Sequence, residues 1–60
     1  MKLYRLSTWS HGRKFYAAGL ERVEFVDRRG AGRLYTPKQA AEVRKRFRKV
    51  KLRLELEEAA

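Results

Sequence analysis

The first half of the chain alternates apolar and polar residues, with turn-forming residues at short intervals. The alternation covers Lys2–Trp9 and returns in Glu21–Asp27; between them, after a Ser-His-Gly-Arg turn, Lys14–Ala18 is a short aromatic segment that can pair back on the first strand. Alternation with a period of two is typical of β-strands that are buried on one face. Because Gly and Ser interrupt the pattern at hairpin spacing, we predict an antiparallel meander of three strands.

The segment Thr36-Pro37-Lys38-Gln39 carries the sequence signals of a helix start. Thr36 suits the N-cap, Pro37 the first helical position and Gln39 the third, and together they predict a capping box. Apolar residues then follow at helical spacing and form one stripe: Ala40, Val43, Phe47 and Val50. We predict a helix from Pro37 to about Arg48 that packs this stripe against the sheet.

The spacing of apolar residues changes after the predicted helix. Between Val50 and Glu57 four apolar residues alternate with four charged ones, as in a half-buried strand. The alternative is a continued helix, since Lys, Leu, Arg and Glu have good helix propensity and no helix breaker intervenes. A helix would distribute Leu52, Leu54 and Leu56 around its circumference, so we favour the strand.

These elements predict an α+β fold in a single domain of residues 1–60. The expected architecture is a small antiparallel sheet of three to four strands with one helix packed on one face, in the order β-β-β-α-β. Arg28–Gly32, between the third strand and the helix, contains two glycines and is expected to be a flexible loop.

Composition and motifs argue against several classes of function. The chain has no Cys, and its only His is His11, in a predicted turn. We therefore expect no nucleophilic catalysis, no bound metal and no cofactor. The longest apolar stretch, Phe15–Leu20, is too short to cross a bilayer, and the first residues lack a signal-peptide core. These features favour a small non-enzymatic protein of the cytoplasm, without a membrane segment or a disulfide.

Basic residues are concentrated near the end of the predicted helix. The net charge is +9, and seven of the ten residues in 44–53 are Lys or Arg. We assign phosphate binding to six of these residues, with Arg13 and Lys14 in support: Arg44, Lys45, Arg48, Lys49, Lys51 and Arg53. Glu42 and Arg46, spaced i and i+4, are expected to form a surface ion pair. The alternative is that the basic residues only keep a small domain soluble.

Seven aromatic residues in a chain of 60 are more than a sheet of this size is expected to bury. Trp9 lies beside the predicted turn, between Arg5 and Arg13, so it is the aromatic residue most expected at the surface. We assign Trp9 and Tyr16 to a candidate interface, where Trp9 can stack on a base or anchor a protein contact. The alternative is that Trp9 only covers the open end of a small core.

Turn and core positions within residues 4–47 form a characteristic series. They are Tyr4 and Leu6, Gly12 with Lys14-Phe15-Tyr16, Asp27 with Ala31, Leu34-Tyr35-Thr36, and Ala40. This series resembles that of small phage and prophage proteins of unknown function. The resemblance covers no active-site residues. What it implies is a phage origin and a protein that acts by binding and redirecting a host machine.

Two functions agree with these features. The first is a binding module whose basic helix face engages nucleic acid or a nucleoprotein complex. The second is an inhibitor that binds an acidic surface of a host protein through a strand edge and Trp9. Either is compatible with a monomer or a homodimer in the cytoplasm of a host cell.

Overall fold

The computed structural model describes residues 2–59 and shows one helix packed on a four-stranded antiparallel sheet. The strands are β1 (Tyr4–Ser10), β2 (Arg13–Ala18), β3 (Glu24–Val26) and β4 (Glu55–Glu58), and the helix is α1 (Pro37–Arg48). The sheet order is β3-β2-β1-β4. The predicted α+β class is confirmed, with a 3₁₀ turn (Arg29–Ala31) added between β3 and α1.

The β1–β2 hairpin turns tightly at His11 and Gly12. Both residues have positive φ, 53° and 76° respectively, which is the conformation of a type I′ turn. This turn matches the right-handed twist of the two strands and sets a register in which Ser10 lies opposite Arg13. The turn lies within the predicted Ser-His-Gly-Arg segment, because Gly12 accepts the left-handed conformation without steric cost.

Strand β1 is one of the two inner strands of the sheet and has neighbours on both sides. After β2 ends, Tyr35 continues along the same side of β1, where Tyr4 and Tyr35 exchange two backbone hydrogen bonds of 2.9 and 2.7 Å. On the other side β4 runs antiparallel, with Leu6 opposite Leu56. Strand β3 is shorter than predicted, since Glu21 and Arg22 form a bend and neither Val23 nor Asp27 belongs to the strand.

The core lies between α1 and one face of the sheet. Its fully buried members are Leu6, Ala17, Tyr35, Ala40, Val43 and Leu54. Phe25 of β3 and Phe47 of α1 extend this core through an edge-to-face contact with 5.4 Å between ring centroids. The predicted helical stripe therefore faces the sheet as far as Phe47, but Val50 lies beyond the helix and is 68% exposed.

The predicted capping box positions the start of α1. The Thr36 hydroxyl accepts a hydrogen bond from the Gln39 backbone N–H at 3.3 Å. In return, the Thr36 N–H donates to the Gln39 side-chain oxygen at 3.2 Å. Two of the N–H groups that a helix start leaves without partners are thus satisfied, and both ends of the predicted helix are confirmed.

The helix ends in a Schellman motif rather than running into a strand. Leu52 N–H donates to the Phe47 carbonyl and Lys51 N–H donates to the Arg48 carbonyl, both at 3.1 Å. The predicted strand over 50–57 is therefore wrong for residues 50–54 and confirmed from Glu55 onward. Leu56, predicted to be buried, is 47% exposed because β4 is an edge strand with a neighbour on one side only.

The segment predicted as a flexible loop contains a 3₁₀ turn that packs on the sheet face opposite α1. Gly32 approaches Tyr16 so closely that a Cβ at position 32 would lie 2.8 Å from the Tyr16 Cβ. The Arg5 side chain donates to the Arg29 carbonyl at 3.2 Å and holds the turn in place. This contact buries Tyr16 and gives the sheet a partial second cover.

Candidate nucleic-acid interface

Helix α1 presents basic side chains on the surface that faces away from the sheet. Lys45 and Lys49 lie opposite the buried Val43, while Arg44 and Arg48 lie along one flank. All four basic residues are exposed. Their i and i+4 spacing places neighbouring Cβ atoms about 5–6 Å apart along each row, so the four charges form two parallel rows.

The segment after α1 extends this group of charges. Lys51 and Arg53 are both exposed, and the left-handed Lys51 (φ 59°) turns the chain back toward the sheet. We call the six residues Arg44, Lys45, Arg48, Lys49, Lys51 and Arg53 the basic surface. The six residues that the sequence assigned to phosphate binding are thus all exposed, four on the outer side of α1 and its C-terminal end and two in the segment that follows.

The charges of the basic surface have no acidic partners among residues 2–59. The ion pairs of the described chain join Lys2 to Glu58 at 3.8 Å, and Lys14 and Arg29 to Glu57 at 3.3 and 2.7 Å. The acidic residues of β4 thus pair with cations of the sheet side and the 3₁₀ turn, whereas α1 carries a single acidic residue, Glu42, among its basic residues. An uncompensated basic patch attracts polyanions over distances of about a Debye length.

Arg46 serves the fold rather than the basic surface. Its guanidinium donates to the backbone carbonyls of Leu20 and Glu21 at 2.6 and 3.3 Å. The predicted ion pair between Glu42 and Arg46 is not formed, because Arg46 reaches across to the turn between β2 and β3. Beside it lies an open concavity of about 430 Å³ lined by Glu42, Lys45, Arg46 and Lys49.

Lys14 and Arg13 lie apart from the basic surface. The Lys14 ammonium binds Glu57 and sits 5.6 Å from the centre of the Tyr16 ring, on the sheet face opposite α1. Arg13 is exposed at the end of the hairpin. The sheet therefore lies between Lys14 and α1, and the structure does not place Lys14 with the six phosphate-binding candidates.

The two candidate interface residues differ in accessibility. Trp9 is 62% exposed, whereas Tyr16 is 8% exposed beneath the 3₁₀ turn. Trp9 pairs with Lys14 across the hairpin, so its side chain lies on the face opposite α1. Tyr16 packs within that face and is not accessible to a partner. Of the two predicted interface aromatics, only Trp9 is exposed.

A cluster of charges around Glu57 has no signal in the sequence. Glu57 lies opposite Arg5 in the β1–β4 register and receives Lys14 from β2 and Arg29 from the 3₁₀ turn. These residues are far apart along the chain, and only the pairing of β4 with β1 assembles them. Next to the cluster is an open concavity of about 440 Å³, whose lining includes Asp27.

Two further features bear on the kind of site this chain contains. Within residues 2–59, no group of three or more His, Cys, Asp or Glu side chains is arranged to hold a metal ion. In the same part of the chain, no helix has the length and apolar character needed to cross a membrane.

Comparisons with protein-family models, with curated proteins and with solved structures found no match to this chain. The resemblance to phage and prophage proteins therefore stays a prediction, and functional evidence comes from the geometry and charge of the site.

Proposed function

We propose that this protein is a small non-enzymatic binding module whose basic surface contacts the phosphates of nucleic acid, free or within a nucleoprotein complex. The observation that carries the proposal is the basic surface itself: six exposed Lys and Arg side chains on one element and its extension, without acidic partners in residues 2–59. A phage origin and a site of action in the host cytoplasm agree with this role.

The physical basis of such binding is the release of counterions from the polyanion. Each phosphate neutralised by Lys or Arg lowers the slope of log affinity against log salt by about 0.9 on duplex DNA. Three of the six residues are Arg, whose planar guanidinium matches phosphate oxygens two at a time. Five or six such contacts predict a slope of about −5.

The test is fluorescence anisotropy with a labelled oligonucleotide at several salt concentrations. Replacing Lys45 and Lys49 by Glu is expected to flatten the slope by about two and to leave the fold intact, because both side chains face solvent. The matched control replaces Arg22 and Arg28 by Glu. Both are exposed residues on either side of β3, and this double variant changes the net charge by the same amount. A flat slope in the parent protein, or equal effects of the two double variants, contradicts the proposal.

A second candidate is a phage-encoded inhibitor of a host protein, and two observations favour it. Trp9 is a large exposed aromatic residue of the kind that anchors protein interfaces. The edge strand β4 is also free to accept an additional strand. It carries Glu55, Glu57 and Glu58, so a partner at this edge would present basic side chains rather than the acidic surface expected from the sequence.

Replacing Trp9 by Ala separates the two candidates, because it removes an anchor without changing charge. The inhibitor predicts that Trp9→Ala abolishes capture of a host protein from a nuclease-treated lysate, with weak nucleic-acid binding in the parent. The nucleic-acid module predicts that captured partners disappear after nuclease treatment and that Trp9→Ala leaves the salt slope unchanged.

A further inference from the structure

A hollow lies at the hairpin end of the sheet, on the side that α1 covers. It is lined by Thr8, Ser10, Phe15 and Phe25, is open to solvent and has a volume of about 250 Å³. Thr8 and Phe15 are directly opposite each other in the β1–β2 register. Phe25 packs against Phe47 of α1, which places this lining on the helix side of the sheet.

The lining has the chemistry that recognises a planar, uncharged ring. Phe15 and Phe25 are half-buried and offer aromatic surface for stacking. Thr8 and Ser10 add hydroxyl groups, each of which can donate and accept a hydrogen bond. Because no charged side chain lines the hollow, it suits the uncharged part of a ligand rather than its phosphate.

The hollow and the helix that carries most of the basic surface lie on the same side of the sheet. Phe25 in the lining of the hollow packs against Phe47 of α1, and the last turn of α1 also carries Arg48 of the basic surface. A single strand of nucleic acid presents this combination, a charged backbone with planar bases that are free to leave the stack. In a duplex the bases are paired and stacked, so inserting one into the hollow would require flipping it out.

We propose that the hollow receives a base of single-stranded nucleic acid whose phosphates contact the basic surface. The inference rests on the proposed function and adds the strandedness of the ligand. Proteins that bind single strands combine a basic path for the backbone with aromatic residues on which bases stack. DNA and RNA share this chemistry, and the experiment distinguishes them.

The first experiment compares strandedness at one salt concentration. Labelled DNA and RNA of about 12 nucleotides, a length within the range bound by known single-strand modules, are measured as single strands and as the matching duplexes. We expect about tenfold tighter binding of the single strand, and a strand with one abasic site should lose part of that advantage. Tighter binding of DNA than of RNA, or the reverse, shows which of the two nucleic acids is the ligand.

The second experiment changes the hollow without changing its charge. Phe15→Leu keeps an apolar side chain in β2 and removes the aromatic face, so we expect a five- to tenfold loss of single-strand affinity with an unchanged salt slope. Tyr4→Leu makes the matched aromatic-to-Leu change at the other end of β1, outside the lining of the hollow, and should bind normally. A circular dichroism spectrum like that of the parent confirms that each variant is folded.

Outcomes that overturn the inference are distinct from those that overturn the proposed function. Equal or tighter binding of duplexes, or parental affinity in Phe15→Leu, overturns the base-binding hollow and leaves phosphate binding by the basic surface intact. Failure of every oligonucleotide to bind overturns both. Binding of an apolar peptide at the hollow, with no effect of the abasic site, assigns the hollow to a protein partner and overturns the inference.

Discussion

Lys51 has a backbone conformation that residues other than glycine rarely adopt. Its φ of 59° lies in the left-handed region, where contact between Cβ and the backbone costs about 1 kcal/mol or more. The conformation is maintained by the two hydrogen bonds that close the helix end, from Lys51 and Leu52. The left-handed conformation of Lys51 thus ends the helix, and the side chain of this residue belongs to the basic surface.

Lys51→Gly is expected to stabilise the protein by about 0.5–1 kcal/mol, because glycine adopts the left-handed conformation without the steric cost. Lys51→Ala removes the same charge but keeps a Cβ, so it should give no such gain. Urea unfolding of both variants measures the difference. Equal stabilities would show that residue 51 is not left-handed in solution.

Tyr35 is the buried titratable residue of the core. Its hydroxyl donates to the Gly19 carbonyl, and the residue is completely buried in the core. Burial raises the pKa of the Tyr35 phenol above its ordinary value of 10.0, opposed in part by the nearby charges of Arg33 and Arg46. The neutral phenol is therefore the form compatible with the folded state.

The raised pKa predicts that stability falls as the pH rises above about 10. Above that pH the tyrosine ionises in the unfolded chain before it ionises in the folded protein, so unfolding is favoured. Tyr35→Phe has no ionisable hydroxyl, so this pH dependence disappears. The variant also lacks the hydrogen bond to Gly19 and should be about 1 kcal/mol less stable than the parent at neutral pH. Urea unfolding at pH 7 and above pH 10 should show the parent losing its advantage over Tyr35→Phe. A difference that is independent of pH contradicts the prediction.

At the scale of elements, β4 depends on side-chain contacts as well as on backbone pairing. It has only four residues and one neighbouring strand. Leu54, just before it, is buried in the core, while Glu57 is held by Lys14 and Arg29. Side-chain contacts on both faces of the sheet thus stabilise β4.

Glu57→Gln is expected to destabilise the fold by about 1 kcal/mol, because two cations lose their partner in a partly buried cluster. Glu58→Gln is the matched control on the same strand. Its contact with Lys2 is 3.8 Å long and solvent-exposed, so its loss should cost less than about 0.3 kcal/mol. Thermal unfolding of the two variants tests the ranking. Equal effects would mean that the Glu57 cluster does not hold β4.

At the scale of the whole molecule, the charge is large and unevenly placed. The net charge is +9, and the ion pairs within residues 2–59 involve the sheet and the 3₁₀ turn rather than the basic surface. Repulsion among the six residues of the basic surface therefore opposes folding. The same repulsion is what a bound polyanion would relieve.

Raising the salt concentration is expected to raise the melting temperature of the free protein. The Debye length falls from about 30 Å at 0.01 M to about 8 Å at 0.15 M, which screens the repulsion. The double variant Lys45→Glu, Lys49→Glu should gain less from salt, because its basic surface is already partly neutralised. Differential scanning calorimetry at the two salt concentrations measures both. An equal rise in melting temperature in parent and variant would mean that the repulsion does not involve Lys45 and Lys49.

The sequence by itself determined the elements whose causes lie within a few residues. The His11–Gly12 turn, the capping box of Thr36 and Gln39, and the helix from Pro37 to Arg48 all follow from local conformational preferences and short-range hydrogen bonds. The α+β class followed from these elements. So did the exposure of Arg44, Lys45 and Arg48, because the buried stripe of α1 orients them.

Only the tertiary structure decided what depends on contacts between distant segments. It put Lys14 and Trp9 on the sheet face opposite α1, covered Tyr16 with the 3₁₀ turn, and assembled the cluster around Glu57. Val50–Leu54 left the predicted strand because Lys51 turns the chain there without a glycine to signal it. Local propensity contains no information on which sheet face a distant turn covers, since that choice is made by packing and strand register.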